Sequence, residues 1–112
     1  MTSYRVEIGA QAQADIIEIV QYIGQALQEP WTAGNLYRLI KEQIISLEQM
    51  PERNPYEDDE RLQALGIRKL LVKNYKILYA VDTKRHLVQI ARVFYAGRDI
   101  SGILEETSFE KP

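Results

Sequence analysis

The sequence predicts a mixed α/β (α+β) fold with the element order β-α-α-β-β-β-α, in which an antiparallel sheet carries a helical hairpin on one face. Three observations predict it. Two amphipathic stretches of helical period stand back to back between Gln11 and Met50, and three aliphatic, β-branched stretches follow one another between Ile67 and Tyr95. The chain has 112 residues, 46% of them apolar, which is enough for one core and implies one domain over 1–112.

Each element has its own signal. Tyr4, Val6 and Ile8 alternate with Arg5 and Glu7 until Gly9, the period of a short half-buried strand. Ala12, Ile16, Ile19, Val20, Ile23, Ala26 and Leu27 then fall at spacings of three and four, with Gln13, Asp15, Glu18, Gln21 and Gln25 opposite. Gln28-Glu29-Pro30 ends this helix, and Pro30 suits the first turn of the next. Ala33, Leu36, Tyr37, Ile40, Ile44 and Leu47 repeat the pattern up to Met50-Pro51, so the short link makes an antiparallel hairpin. Pro51 to Leu65 holds two prolines and the acids Glu57 to Glu60 and reads as a surface loop. Ile67 to Lys73, Tyr75 to Asp82 and His86 to Tyr95 are strands joined at Lys73-Asn74 and Thr83-Lys84-Arg85. A short helix starts near Asp99, with Ile100, Ile103 and Leu104 on one stripe.

In the central strand Tyr75, Ile77, Tyr79 and Val81 face one way and Lys76, Leu78, Ala80 and Asp82 the other. The hairpin covers only one face. The second is either a partly open, basic concavity or the seat of the C-terminal segment.

Composition narrows the chemistry. Without cysteine there is no disulfide or thiolate site, and a lone histidine, His86, excludes a multi-histidine metal centre. No cofactor and no metal are expected. No apolar run approaches the roughly 20 residues that cross a bilayer, and Met1 to Arg5 does not open a signal peptide, so a cytoplasmic protein without a membrane partner is expected.

Charge is laid out unevenly. Gly66 to Arg98 carries eight basic residues against one acid, Asp82, while the first sixty residues hold eleven acids against four basic residues. The net charge of -2 conceals a local field suited to a polyanion or an acidic partner.

Specific residues carry a resemblance. Ala12-Gln13-Ala14-Asp15-Ile16, Ile45 to Pro51, Gly66-Ile67-Arg68-Lys69-Leu70, Asn74 to Val81 and Arg92-Val93-Phe94-Tyr95-Ala96-Gly97-Arg98-Asp99-Ile100, in that order, resemble the RelE/ParE superfamily, toxins of bacterial type II toxin–antitoxin modules. The resemblance implies growth inhibition and a cognate antitoxin that wraps and neutralises the protein. It also implies one of two targets. ParE-like members bind and poison DNA gyrase without hydrolysis; RelE-like members are metal-independent endoribonucleases that cut messenger RNA in the ribosome. A third reading is a non-toxic antitoxin-binding module.

Carried over by position, the ribonuclease reading places Arg68, Lys69, Lys76, Tyr95 and Arg98 as catalytic residues, where the cations would steady charge developing on phosphate; in either branch the functional reading expects the cations of separate strands to converge in one shared pocket. Two departures favour the ParE-like branch. Lys76 offers a point charge where the ribonucleases have a forked arginine, and Leu104 stands where they place a tyrosine. A pI near 5.4 also suits ribosomal RNA poorly. Structural roles compete for several residues: Arg92 as a buried partner of Asp15 or Glu18, Tyr79 and Tyr95 as core residues with satisfied hydroxyls, His86 as an exposed turn residue, Trp31 as packing at the hairpin tip, and Glu57 to Glu60 as a solvated loop.

Overall fold

The computed structural model describes residues 3–109. Strand β1 (Arg5–Ile8) leads into helix α1 (Ala10–Gln21), a π-helical turn (Tyr22–Ala26) and helix α2 (Pro30–Ile45). Short 3-10 turns at Ser46–Glu48 and Pro51–Arg53 and helix α3 (Glu60–Ala64) precede β2 (Ile67–Val72), β3 (Tyr75–Asp82) and β4 (Leu87–Tyr95); α4 (Ile100–Glu106) follows.

The sheet order is β1-β4-β3-β2. β2, β3 and β4 form the expected antiparallel meander, while β1 lies parallel to β4, from Arg5 opposite Leu87 to Ile8 opposite Ile90. That orientation follows from the hairpin, which returns the chain to the end where β1 begins: Tyr4 donates its N–H to the Glu48 carbonyl at 2.9 Å. The ladder is interrupted once, where β4 carries an extra residue between Ile90 and Arg92 opposite the Tyr79–Leu78 step, a bulge that re-aims the Arg92 side chain.

Alternation along β3 divides the interior as expected. Ile77 and Tyr79 bury against Ala12, Ile16, Ile40, Ile44 and Leu47 of the hairpin and its following turn. Leu78 and Ala80, on the other face, pack with Leu62 of α3, Ile67, Phe94 and Ile103 of α4, with Phe109 against them. The second face is therefore covered, by the C-terminal segment and by α3, a short helix inside the expected surface loop. Five residues are too few for periodicity to register, but the start signal is present: Asp59 accepts hydrogen bonds from the N–H groups of Arg61 (2.9 Å) and Leu62 (3.4 Å). Asp99 caps α4 in the same way through Ser101 N–H at 3.0 Å. Two further corrections concern the hairpin. Its first helix ends in a π turn rather than a continuous α-helix, and Trp31 does not pack at the tip but stands 79% exposed.

The β3–β4 turn is held by one carboxylate. Asp82 accepts from Lys84 N–H and Arg85 N–H, both at 3.1 Å, and from Arg85 Nε at 2.7 Å. The Arg85 side chain, helped by these backbone donors, holds the Asp82 carboxyl below its ordinary range. A lowered folded-state pKa adds stability that is complete above the unfolded-state value of about 4 and is lost as the pH falls through the folded value. Asp82→Asn is thus expected to flatten the acid limb of stability, seen as a urea midpoint that changes less than that of the parent between pH 7 and pH values below about 4. Ile103, fully buried, anchors α4, and Ile103→Ala should lower the unfolding free energy by roughly 2–5 kcal/mol in the same assay.

Candidate functional site

The loop after α2 supplies acids to the basic strands. On the hairpin face of β2, Arg68 donates to the carbonyls of Asn54 (2.6 Å) and Glu52 (3.2 Å), lies 3.7 Å from the Glu52 carboxylate and stacks 4.2 Å from the Tyr56 ring centre. On the opposite face Lys69 and Lys76 are diagonal neighbours, given the register of Leu71 opposite Lys76 and Lys69 opposite Leu78. Consecutive loop acids meet them: Asp58 pairs with Lys69 at 3.1 Å, and Glu57 with Lys76. Lys76 Nζ donates to Glu57 Oε1 at 3.2 Å and stands 3.1 Å from Oε2, which accepts no hydrogen bond.

Glu57 is only 4% exposed. The loop is latched to the sheet and not merely solvated, because Glu57 N–H donates to the Ile67 carbonyl (2.9 Å) and Lys69 N–H to the Pro55 carbonyl (3.0 Å), which extends pairing past the β2 edge. Tyr79 is the core residue expected. Its hydroxyl donates to the Pro51 carbonyl at 2.7 Å and accepts from Asn54 Nδ2 at 3.1 Å, and burial raises its pKa. Asp59 pairs with Arg61 at 2.8 Å, and the Arg61 side chain, with two backbone donors, lowers its pKa.

A second group lies at the far end of β4. Arg92 is buried; its Nε and one terminal nitrogen meet the two Asp15 carboxylate oxygens at 2.7 and 3.0 Å, its other terminal nitrogen donates to Thr107 Oγ1 at 2.7 Å, and Glu106 stands 3.5 Å away. Asp15 holds the Arg92 guanidinium above its usual pKa, so it stays charged. Arg98 pairs with Glu106 at 2.6 Å. Tyr95 is no core residue, being 58% exposed, and its ring meets Tyr75 edge to face at 6.3 Å.

The structure therefore does not bring the five nominated side chains into one pocket, and the shared cationic pocket expected of both branches is not formed by them. Arg68 lies on the hairpin face beside the loop, Lys69 and Lys76 share the other face, and Tyr95 and Arg98 lie at the end of β4. Each of the four cations faces a carboxylate of its own chain. Sequence reasoning missed Glu57 as a buried partner, since nothing in a run of four acids marks the one that turns inward. It missed Tyr22 and Tyr75 as neighbours of Tyr95, although the alternation of β3 already put Tyr75 on the hairpin face.

The comparisons with known proteins agree with this fold. The family described as ParE toxin of type II toxin-antitoxin system, parDE, matches residues 6–100, and the chain belongs to that family. Among solved structures, it is similar to the chromosomal ParDE toxin–antitoxin system of P. aeruginosa at 22% identity and a TM-score of 0.68, over 85% of this chain and 98% of that one. It is also similar to the RelBE2 toxin–antitoxin complex of Mycobacterium tuberculosis (20% identity, TM-score 0.59, covering 85% and 93%). A double-arginine mutant of E. coli RelE in the free state aligns at 15% identity and a TM-score of 0.58 over 94% of both chains. A search of curated protein sequences gave no match. The protein is a toxin of the RelE/ParE superfamily.

The buried Glu57–Lys76 pair makes a sharp prediction. Glu57→Ala, which leaves an ammonium without its counter-charge, should cost about 3 kcal/mol, whereas Glu57→Leu combined with Lys76→Met should recover most of that loss. Urea denaturation of the two variants beside the parent measures the difference.

Proposed function

We propose that this protein is a ParE-type toxin that arrests growth by binding DNA gyrase, acts in the cytoplasm as a single domain and is neutralised by a cognate antitoxin. The reading is supported by the family match and carried by one observation: Arg68, Lys69, Lys76 and Arg98 are each paired with a carboxylate of the same chain. RNA would have to break those pairs to reach the cations, and the acids left behind would repel phosphate. A toxin that acts by protein contact has no such conflict. Charged residues can stay internally paired while exposed aromatic residues such as Tyr95 and Trp31 supply binding energy.

An antitoxin partner fits both the family and the solved relatives, whose names are those of toxin–antitoxin systems and complexes. Catalytic roles for Arg68, Lys69, Lys76, Tyr95 and Arg98 belong to the competing ribonuclease reading.

One experiment separates the readings. With saturating purified protein, gyrase supercoiling should be inhibited while translated messages stay intact. Untouched supercoiling together with cleavage in the ribosomal A site, reduced by Arg98→Ala, would replace gyrase with messenger RNA. Growth that continues on induction without antitoxin would leave only an antitoxin-binding module.

A further inference from the structure

Three tyrosines from three elements meet beside β4. Tyr22 comes from the π turn that follows α1, Tyr75 opens β3 and Tyr95 closes β4; together with Glu18, Ile19 and Arg98 they line a cleft of about 470 Å³. Tyr22 and Tyr95 are 59% and 58% exposed, so their rings are walls and not core. The π turn has a structural consequence here. Its wider winding ends the regular α1 register at Gln21 and sets Tyr22 among the residues lining the same cleft as β3 and β4. Burial, with the nearby Tyr95 and Tyr22, raises the pKa of the Tyr75 hydroxyl, which agrees with three phenols facing one space.

The walls are also fixed. A Cβ on Gly97 would stand 2.9 Å from Tyr95 Cε1, so the ring lies folded against the glycine. The edge-to-face contact with Tyr75 holds its other side.

Charge selects the occupant. Arg98 is spent on Glu106 and Asp15 on Arg92, which leaves the Glu18 carboxylate with no ion-pair partner among the described residues. A space walled by electron-rich rings and rimmed by an unpaired carboxylate attracts a cation and repels an anion. Ile19 and Val93 add an apolar floor that suits the aliphatic stem of such a side chain.

We propose that the cleft bounded by Tyr22, Tyr75, Tyr95 and Glu18 is a receptor for a lysine or arginine side chain presented by a partner polypeptide. The cation sits against the tyrosine faces, Glu18 supplies the counter-charge, and a neighbouring apolar side chain of the partner covers the exposed edge of Tyr95. The proposal concerns the surface of the free toxin and stands whether or not gyrase is the target.

The test uses the whole chain with 13C-labelled tyrosine rings, titrated by NMR with Gly-Ala-X-Leu-Gly peptides, blocked at both ends, in which X is arginine, lysine, glutamate or leucine. The arginine and lysine peptides should give saturable shifts of the Tyr22, Tyr75 and Tyr95 signals below about 10 mM, and the glutamate and leucine peptides should not. Tyr95→Ala should weaken binding about tenfold and Glu18→Gln by a few-fold, while Tyr95→Phe, which keeps the aromatic face, should bind within about two-fold of the parent. Both substituted positions, Glu18 and Tyr95, are exposed, so an unchanged thermal midpoint confirms that the fold persists. Equal shifts with the glutamate or leucine peptide, or no saturable shift with arginine, would overturn the proposal. So would self-association without peptide that Tyr95→Ala abolishes, since it would assign the cleft to a second copy of the chain.

Discussion

The Asp15 carboxylate is the joint on which the rest of the structure depends. β1 covers only Leu87 to Ile90 of β4, and Gly9 N–H closes that pairing on the Ile90 carbonyl at 2.9 Å. Beyond this point β4 has no strand on that side. The chain turns directly into α1, and a side chain at Gly9 would press within 3.0 Å of the Ile90 oxygen, so only a bare Cα allows so close a turn. Asp15 then takes over from β1: it accepts Val93 N–H at 2.9 Å and clamps the Arg92 guanidinium that the bulge has turned toward it. Arg92 in turn reaches Thr107, whose hydroxyl donates to the Ile103 carbonyl. One acid thereby fastens helix, sheet and C-terminal segment. The pair is costly to desolvate, and removing either partner would leave the other charge buried without its counter-charge.

Charge follows a similar economy. Among the described residues, six of the eight basic residues from Gly66 to Arg98 meet carboxylates, because the preceding loop brings Glu52, Glu57 and Asp58 to Arg68, Lys76 and Lys69, Asp82 holds Arg85, Asp15 holds Arg92 and Glu106 closes on Arg98. Much of the basic run is thus balanced locally by acids from elsewhere in the chain. Position along the chain concealed this, since acids and bases far apart in sequence are neighbours across the sheet.

The fold was legible wherever periodicity extended over several turns or strand repeats. The hairpin, the meander, the two faces of β3 and the Asp99 start of α4 all followed from spacing and caps. The rest depended on contacts between distant residues. Parallel pairing of β1 is set by where the hairpin returns the chain, and α3 is too short to show a period. In the site, Arg92 was legible as a buried partner of Asp15 or Glu18, because an arginine inside an apolar strand needs a carboxylate, and the structure selects Asp15. The pairing of Arg68, Lys69, Lys76 and Arg98 with carboxylates was not, because a cation in a sequence carries no mark of which acid will reach it.

Fold alone does not fix what a surface binds; whether its cations are already paired with carboxylates is one of the things that does. A phosphate-binding face needs ammonium and guanidinium groups held by neutral donors; here they are held by carboxylates, one of them 4% exposed and placed by backbone hydrogen bonds on both sides of the β2 edge. Such a pair cannot open cheaply. Releasing Lys76 would leave the Glu57 carboxylate, 4% exposed, without its counter-charge. The aromatic end of β4, walled mainly by tyrosine rings, is one surface that remains open to a partner. Recognition at that end is by shape and by attraction for a cation, a chemistry suited to a protein segment and not to a nucleic-acid backbone.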